Sequence, residues 1–350
     1  MWDKIAPRLQ VYTFTYKNLT APYRITVSVM TLLSNHNIKG LSLALTTAVM
    51  WGLLPLALTS VLQLMDSYTI TWYRFLFAAL CVSFILYRKK KLPLSIFKNK
   101  NLFKRLFFAA AFLSLNYILY LSALYYVPAE TAQMLIQMAP FMMLIGSVVL
   151  LKESFSRGQM VGSVVLISGL VLFFNQQFNQ ASDLDSDNFF TGFIIMLGAS
   201  STWAIYAILQ KKMLDHFSAN QIMWSIYLFS SLFFLPFSTP AEIGSLDLLP
   251  LLLLLFCCAN TLIAYGTFAE SLEYWPASKV SAVLAITPLL TVLFATIAEN
   301  IWPTMFTAQS LNNLAYVGGF LVVVGSMLTA LGNKILTREK FRALKRLVRL

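Results

Sequence analysis

Ten stretches of this chain stay apolar for the thickness of a bilayer, and that confines it to few folds. A helix crossing hydrocarbon needs about 20 residues at about 1.5 Å each. Its backbone must be paired within the segment, because no water is present to accept a hydrogen bond. The runs lie at 42–64, 69–87, 102–125, 129–151, 159–174, 189–210, 221–237, 248–272, 277–298 and 314–331, the fifth and seventh being the weakest. Of the 350 residues 58% are hydrophobic and 11% charged, against about 25% charged in soluble domains. That balance excludes a water-soluble enzyme, a disordered chain and a fibrous repeat. The expected fold is all-α: a polytopic protein of ten transmembrane helices, with the lipid bilayer as its first partner.

The net charge of +12 would suggest nucleic acid in a soluble protein. Its placement gives another reading. With the amino terminus on the cytoplasmic side and the spans alternating, every Lys and Arg except Arg74 falls on that one side, most densely in Arg88–Lys91, Lys98–Arg105 and the tail from Lys334. The opposite side carries Asp66, Asp183, Asp185, Asp187, Glu242 and Asp247. This is the positive-inside pattern, and a miscounted span would have reversed every basic loop after it. It predicts a multi-pass protein of the inner membrane with both termini cytoplasmic, and no nucleic-acid partner. Residues 1–37 read as a basic extension whose apolar patch is too short to cross. It is either a surface-lying piece or sequence upstream of a true start at Met30. Residues 334–350 read as a basic tail.

The two halves of the sequence repeat each other. Residues 115–141, LNYILYLSALYYVPAETAQMLIQMAPF, align with 263–289, IAYGTFAESLEYWPASKVSAVLAITPL. Pro128-Ala129 matches Pro276-Ala277 and Pro140 matches Pro288, both at an offset of 148 residues; Trp51 matches Trp203 more loosely. An acid, Glu153 or Glu299, follows the second proline of each half. Each half therefore holds five spans, at 38–174 and 189–333, joined by an acidic linker at 175–188. Five is odd, so the second half must lie upside down relative to the first. Inverted repeats are a transporter architecture, with the ligand site near the midplane between them. Pro128 and Pro276 suit the first turn of a helix. Pro140 and Pro288 fall mid-span, where a missing N–H kinks the helix and frees a carbonyl.

These residues resemble a known family. The Trp51-Gly52-x-x-Pro55 opening, Arg74-Phe75 in span two, the Pro-Ala starts of spans four and nine and the Pro140-to-Glu153 spacing are similar to the drug/metabolite transporter superfamily, and within it to the EamA-type branch. The resemblance covers roughly residues 38–333. It implies a ten-helix carrier, with many such proteins exporting amino acids or small metabolites. The second half departs from the pattern, because Glu299 follows Pro288 by eleven residues rather than thirteen. The resemblance also implies a more structural role for Arg74.

Polar residues inside the spans are few, which makes the candidate site short. Ionisable groups in hydrocarbon are costly and face a cavity or a partner. Arg74 is either an interfacial residue tying carbonyls together or a clamp for a substrate carboxylate, which a guanidinium grips bidentately. Lys279, at the start of span nine, is either half of a loop ion pair or a binder of anions, with Glu270 as a proton-coupling group. Glu130, Gln133, Gln137 and Pro140 share one face of span four by their spacing of three and four. The two glutamines serve either as interhelical glue or as substrate contacts. Trp51, Asn116, Trp203, Tyr206 and Asn260 complete the substrate-binding set, as packing or as the walls of an aromatic pocket. At the 148-residue offset Ser281 stands where Gln133 stands and Ala285 where Gln137 stands, so the site is expected to be asymmetric.

No cofactor and no metal site are expected. The two histidines, His36 and His216, lie outside the spans, the three cysteines sit in apolar runs, and no GxxxxGK[ST] or GxSxG motif occurs. The expected function is secondary transport, by alternating access, of a small zwitterionic or anionic metabolite such as an amino acid, with export the expected direction. No enzymatic role is expected, and the assembly is either a monomer or a homodimer. Two alternatives stay open: a lipid-handling or regulatory membrane subunit without transport, and an intramembrane enzyme, which needs a nucleophile or acid pair in contact.

Overall fold

A computed structural model describes residues 35–93, 96, 99–139, 141–142, 145–146, 156–179, 184–275 and 277–335. The expectations placed on Pro140, Glu153 and Pro276, on most of the amino-terminal extension and on most of the basic tail lie outside these residues. The described elements are helical: α1 Asn35–Val61, α2 Ser67–Arg88, α3 Lys100–Ala123, α4 Ala129–Leu135, α5 Arg157–Phe173, α6 Leu184–Met213, α7 Ala219–Phe234, α8 Leu248–Tyr274, α9 Ala277–Leu284, α10 Thr287–Ile301 and α11 Asn313–Ile335. Local sequence sets several of the starts. Asp66 Oδ1 accepts from the N–H groups of Tyr68 and Thr69 to begin α2. Ser156 with Gln159, and Ser218 with Gln221, form capping boxes on α5 and α7.

Among the described residues seven helices are long and apolar enough to cross a membrane, α9 and α10 together counting as one of them. The expected fifth and seventh spans are the shorter α5 and α7, of 17 and 16 residues, and the fourth is described mainly at its start. The burial pattern is inside out for a soluble protein. Phe84 and Ile194 are 65% and 68% exposed, whereas Thr71, Asn260 and Thr261 are fully buried. Large apolar side chains on the outside and polar ones within suit a bundle solvated by lipid. The chain is an all-α, polytopic membrane protein built of two five-helix repeats.

Two helix pairs carry the inversion. Gly162 of α5 lies against Thr329 of α11, Leu166 against Gly325, Gly169 against Val322 and Phe173 against Gly318, so the two helices run antiparallel. They are the last spans of their respective repeats, and equivalent spans running in opposite directions mean inverted repeats. An ideal Cβ on Gly318 would stand 2.3 Å from the Phe173 nitrogen, and one on Gly162 would stand 2.4 Å from that of Thr329. Only glycine permits such backbone contact. The second spans, α2 and α7, are antiparallel too: Trp224 Nε1 donates to Ser83 Oγ at one end, and Thr69 and Thr239 hydroxyls meet at 3.1 Å near the other. Between these seams α1 packs on α8 and α3 on α6, the same pairing with the repeats exchanged.

Candidate substrate cavity

The cavity between the repeats forms where two helices break. Pro288 has no N–H to offer the Leu284 carbonyl, so span nine does not continue through it. The span stops at Leu284 and restarts at Thr287, with Pro288 in the first turn of α10. The expected kink is thus a full break, with proline where a helix start tolerates it. Span four shows the same event: α4 ends at Leu135, and Ile136 and Gln137 form a turn. At the span-nine break the freed carbonyls are taken up. Thr287 Oγ1 donates to Leu284 O at 2.6 Å, and Gln137 Nε2 donates to Ala285 O at 3.1 Å. Gln137 and Ala285 are equivalent positions of the two repeats, so one hydrogen bond joins the two breaks. Ser326 Oγ donates to Gln137 Oε1 at 3.4 Å.

Beside this joint is a cavity of about 140 Å³, room for about five waters or one small molecule. Its lining follows the repeat. Tyr117 and Tyr265, Tyr120 and Phe268, Gln133 and Ser281, Ile136 and Leu284, and Ala139 and Thr287 all line it in pairs at the 148-residue offset. Trp51 and Trp203 add a pair at an offset of 152. The cavity therefore sits on the axis relating the two halves. Trp51 packs edge-on against Tyr265, centroids 5.3 Å apart, and lies 5.6 Å from the Phe268 ring. Tyr120 donates its hydroxyl to Gln133 Oε1 at 2.7 Å, fixing that amide against the wall.

Arg74 has no such mate, because α7 contains no Lys, Arg, His, Asp or Glu. It lines the cavity and is 2% exposed. Its Nε donates to Thr261 Oγ1 at 3.0 Å, and its guanidinium carbon stands 4.4 Å from the Tyr117 ring centroid. No carboxylate pairs with it: among the described residues the one ion pair joins Lys39 to Glu270. A cation buried at a helix centre in a membrane costs about 2.5–3.5 kcal/mol on insertion scales. A hydroxyl and a ring face offset part of that cost.

Of the residues expected at the site, Trp51, Arg74, Asn116, Gln133, Gln137 and Trp203 line this cavity. Asn116 also donates through Nδ2 to Ala199 O at 2.9 Å, tying α3 to α6. The other four stand elsewhere. Tyr206 is fully buried in the core beside Met223, its hydroxyl 3.4 Å from the sulfur. Asn260 is fully buried and donates to the Met50 carbonyl, tying α8 to α1. Lys279 is exposed, with its nitrogen 5.5 Å from the Trp275 ring centroid. Glu270 is 44% exposed and 3.0 Å from Lys39. Spacing alone passed over Tyr117, Tyr265 and Phe268. The repeat held the signal, since the offset carries Tyr117 to Tyr265 and Tyr120 to Phe268.

A broken-helix cavity on the axis of two inverted five-helix repeats defines a class of membrane carrier. The EamA-like transporter family model matches residues 38–175 and again 190–331, and the chain belongs to that family. It is 39% identical over 300 residues to an "uncharacterized transporter" of Haemophilus influenzae, covering 86% of this chain and 97% of the relative. It is 38% identical over 297 residues to the "uncharacterized inner membrane transporter YhbE" of Escherichia coli K12, covering 85% and 92%. A "probable amino-acid metabolite efflux pump" of Salmonella typhimurium is 22% identical over 309 residues, covering 84% and 95%. A solved crystal structure shares the fold, with a TM-score of 0.57 and 17% identity over 85% of this chain and 99% of that one.

Proposed function

We propose that the chain is an inner-membrane secondary transporter that exports a small carboxylate-bearing metabolite, an amino acid or a close derivative, by alternating access. Arg74 carries this reading: a buried guanidinium, without a carboxylate of its own among the described residues, on the wall of a cavity between inverted repeats. A guanidinium receives a carboxylate through two parallel hydrogen bonds, and the aromatic rings beside it suit an organic body. Asn116, Gln133, Gln137, Trp51 and Trp203 complete the contacts.

Inverted halves provide two near-equivalent conformations, one open to each side, which exchange as each half adopts the shape of the other. The breaks at Ile136–Gln137 and Ala285–Ile286 are where such bending concentrates least strain. The inner-membrane location is supported by the name of the Escherichia coli relative, and the amino-acid substrate class by that of the Salmonella one. The basic loops favour both termini on the cytoplasmic side. A protein without transport would have its midplane packed shut, and the cavity speaks against that alternative.

The test is efflux of labelled amino acids and hydroxy acids from proteoliposomes, with protein-free vesicles subtracted. Arg74→Gln is expected to lower carboxylate flux at least tenfold. Equal flux from wild type and Arg74→Gln, or no flux of any carboxylate from wild type, refutes the reading.

A further inference from the structure

The cavity is complementary to one negative charge and to nothing positive. Among its described lining residues Arg74 is the one charged side chain, and none of them is an Asp or Glu. A substrate ammonium would therefore need neutral acceptors. The strongest of these in a broken-helix site are carbonyls freed at the break, the groups that hold cations in other carriers. At the span-nine break those carbonyls are already engaged, and at the span-four break Ser200 Oγ donates to Leu135 O at 3.5 Å. Thr287 Oγ1 covers Leu284 O and Gln137 Nε2 covers Ala285 O. The two glutamine oxygens are engaged as well, Gln133 by Tyr120 and Gln137 by Ser326. Asn116 Oδ1 and hydroxyl groups remain as acceptors. The donors are freer: Arg74 uses Nε alone on Thr261.

From this census we infer that the transported species bears a single net negative charge, a monocarboxylate lacking a free ammonium, and that zwitterions of the same shape are poorer ligands. The inference rests on the carboxylate reading of Arg74 and narrows it from amino acids and their derivatives to the derivatives that lack the ammonium. A monoanion neutralises the guanidinium and leaves the site without net charge. A zwitterion brings an ammonium into the same low-dielectric space, where the guanidinium repels it and no carboxylate among the described residues receives it. A dicarboxylate brings a second negative charge with no second cation. The asymmetry of the repeats produces this selectivity: Arg74 has no equivalent on α7, so the charge is one rather than two.

The experiment is ligand binding to the purified full chain in detergent, read as the shift in melting temperature during titration. Three matched series are used: propanoate, alanine and propanamide; 4-methylpentanoate, leucine and 4-methylpentanamide; 3-phenylpropanoate, phenylalanine and 3-phenylpropanamide. In the series whose size fits, the monoanion is expected to bind at least tenfold more tightly than both the zwitterion and the neutral amide. A carboxylate placed in the cavity by Ser281→Asp is expected to shift the ratio at least tenfold toward the zwitterion. A zwitterion that equals or exceeds its monoanion in wild type overturns the inference and leaves the carboxylate reading standing. An amide that equals the monoanion, or failure of all three series to bind, overturns both. Wild-type protein alone decides, so the test survives a Ser281→Asp variant that fails to fold.

Discussion

Adding one methyl group at Gly318 tests whether the last spans of the two repeats meet backbone to backbone. Its Cβ would stand 2.3 Å from Phe173 N, 2.7 Å from Gly169 O and 2.8 Å from Leu172 C. All three are main-chain atoms and cannot rotate aside. Ordinary contact begins at 3.4 Å, so α11 must withdraw from α5 by about 1 Å. Overpacking of this kind costs about 1–3 kcal/mol. A gap of about 1 Å along the rest of the seam forfeits up to about half of each dispersion contact. The sum for Gly318→Ala is about 2–3 kcal/mol. The assay is thermal denaturation of purified protein in detergent, followed by size-exclusion chromatography, where the melting temperature should fall by roughly 3–6 °C. Gly266→Ala is the control: the position is helical with no atom near its Cβ, and alanine there should be neutral or stabilising by up to about 1 kcal/mol. Gly162→Ala meets the same seam from the other helix, 2.4 Å from Thr329 N. Once the helices have parted for one methyl, the second costs less, so the double variant should fall short of the sum of the singles. A Gly318→Ala protein as stable as Gly266→Ala would refute the close antiparallel seam, and with it the structural basis of the inversion.

Three further outcomes follow from the placement of polar groups. Gln137→Ala removes the hydrogen bond between the breaks; membrane hydrogen bonds are worth about 0.6 kcal/mol on average, so membrane insertion and melting should change little while proteoliposome flux falls several-fold. Lys279→Ala should leave flux within about twofold for anionic and neutral substrates alike, because the side chain is exposed and outside the cavity; selective loss of anions would instead place Lys279 on the substrate path. Glu270→Gln breaks an exposed ion pair with Lys39, worth about 0–1 kcal/mol, and should leave the pH dependence of flux unchanged.

The membrane-spanning segments were legible because bilayer thickness writes itself into the length of an apolar run. The repeat was legible because the Pro-Ala helix starts and second prolines recur at one offset. Pro288 identified the discontinuity in span nine, although its depth depended on Thr287 and Gln137 being there to receive the released carbonyls. Arg74 announced itself by its charge. Its partners did not: Thr261 lies 187 residues away on α8, and no local pattern links two helices that meet only in three dimensions. The same limit explains Tyr206 and Asn260. Helical spacing gave each a face, and the faces met Met223 and the Met50 carbonyl rather than the cavity. Lys279 and Glu270 sit near a span boundary, where a shift of one turn separates a buried group from an exposed one.

The proposed alternating access requires a single chamber reached in turn from the two faces of the membrane, and the accessibility of its wall reads this out. Ser281→Cys is introduced into a chain whose Cys81, Cys257 and Cys258 are replaced by alanine, then reconstituted and treated with an impermeant maleimide from either face. Labelling from both faces is expected, with substrate shifting the balance between them. Labelling from one face alone, unmoved by substrate, or from neither, would contradict it.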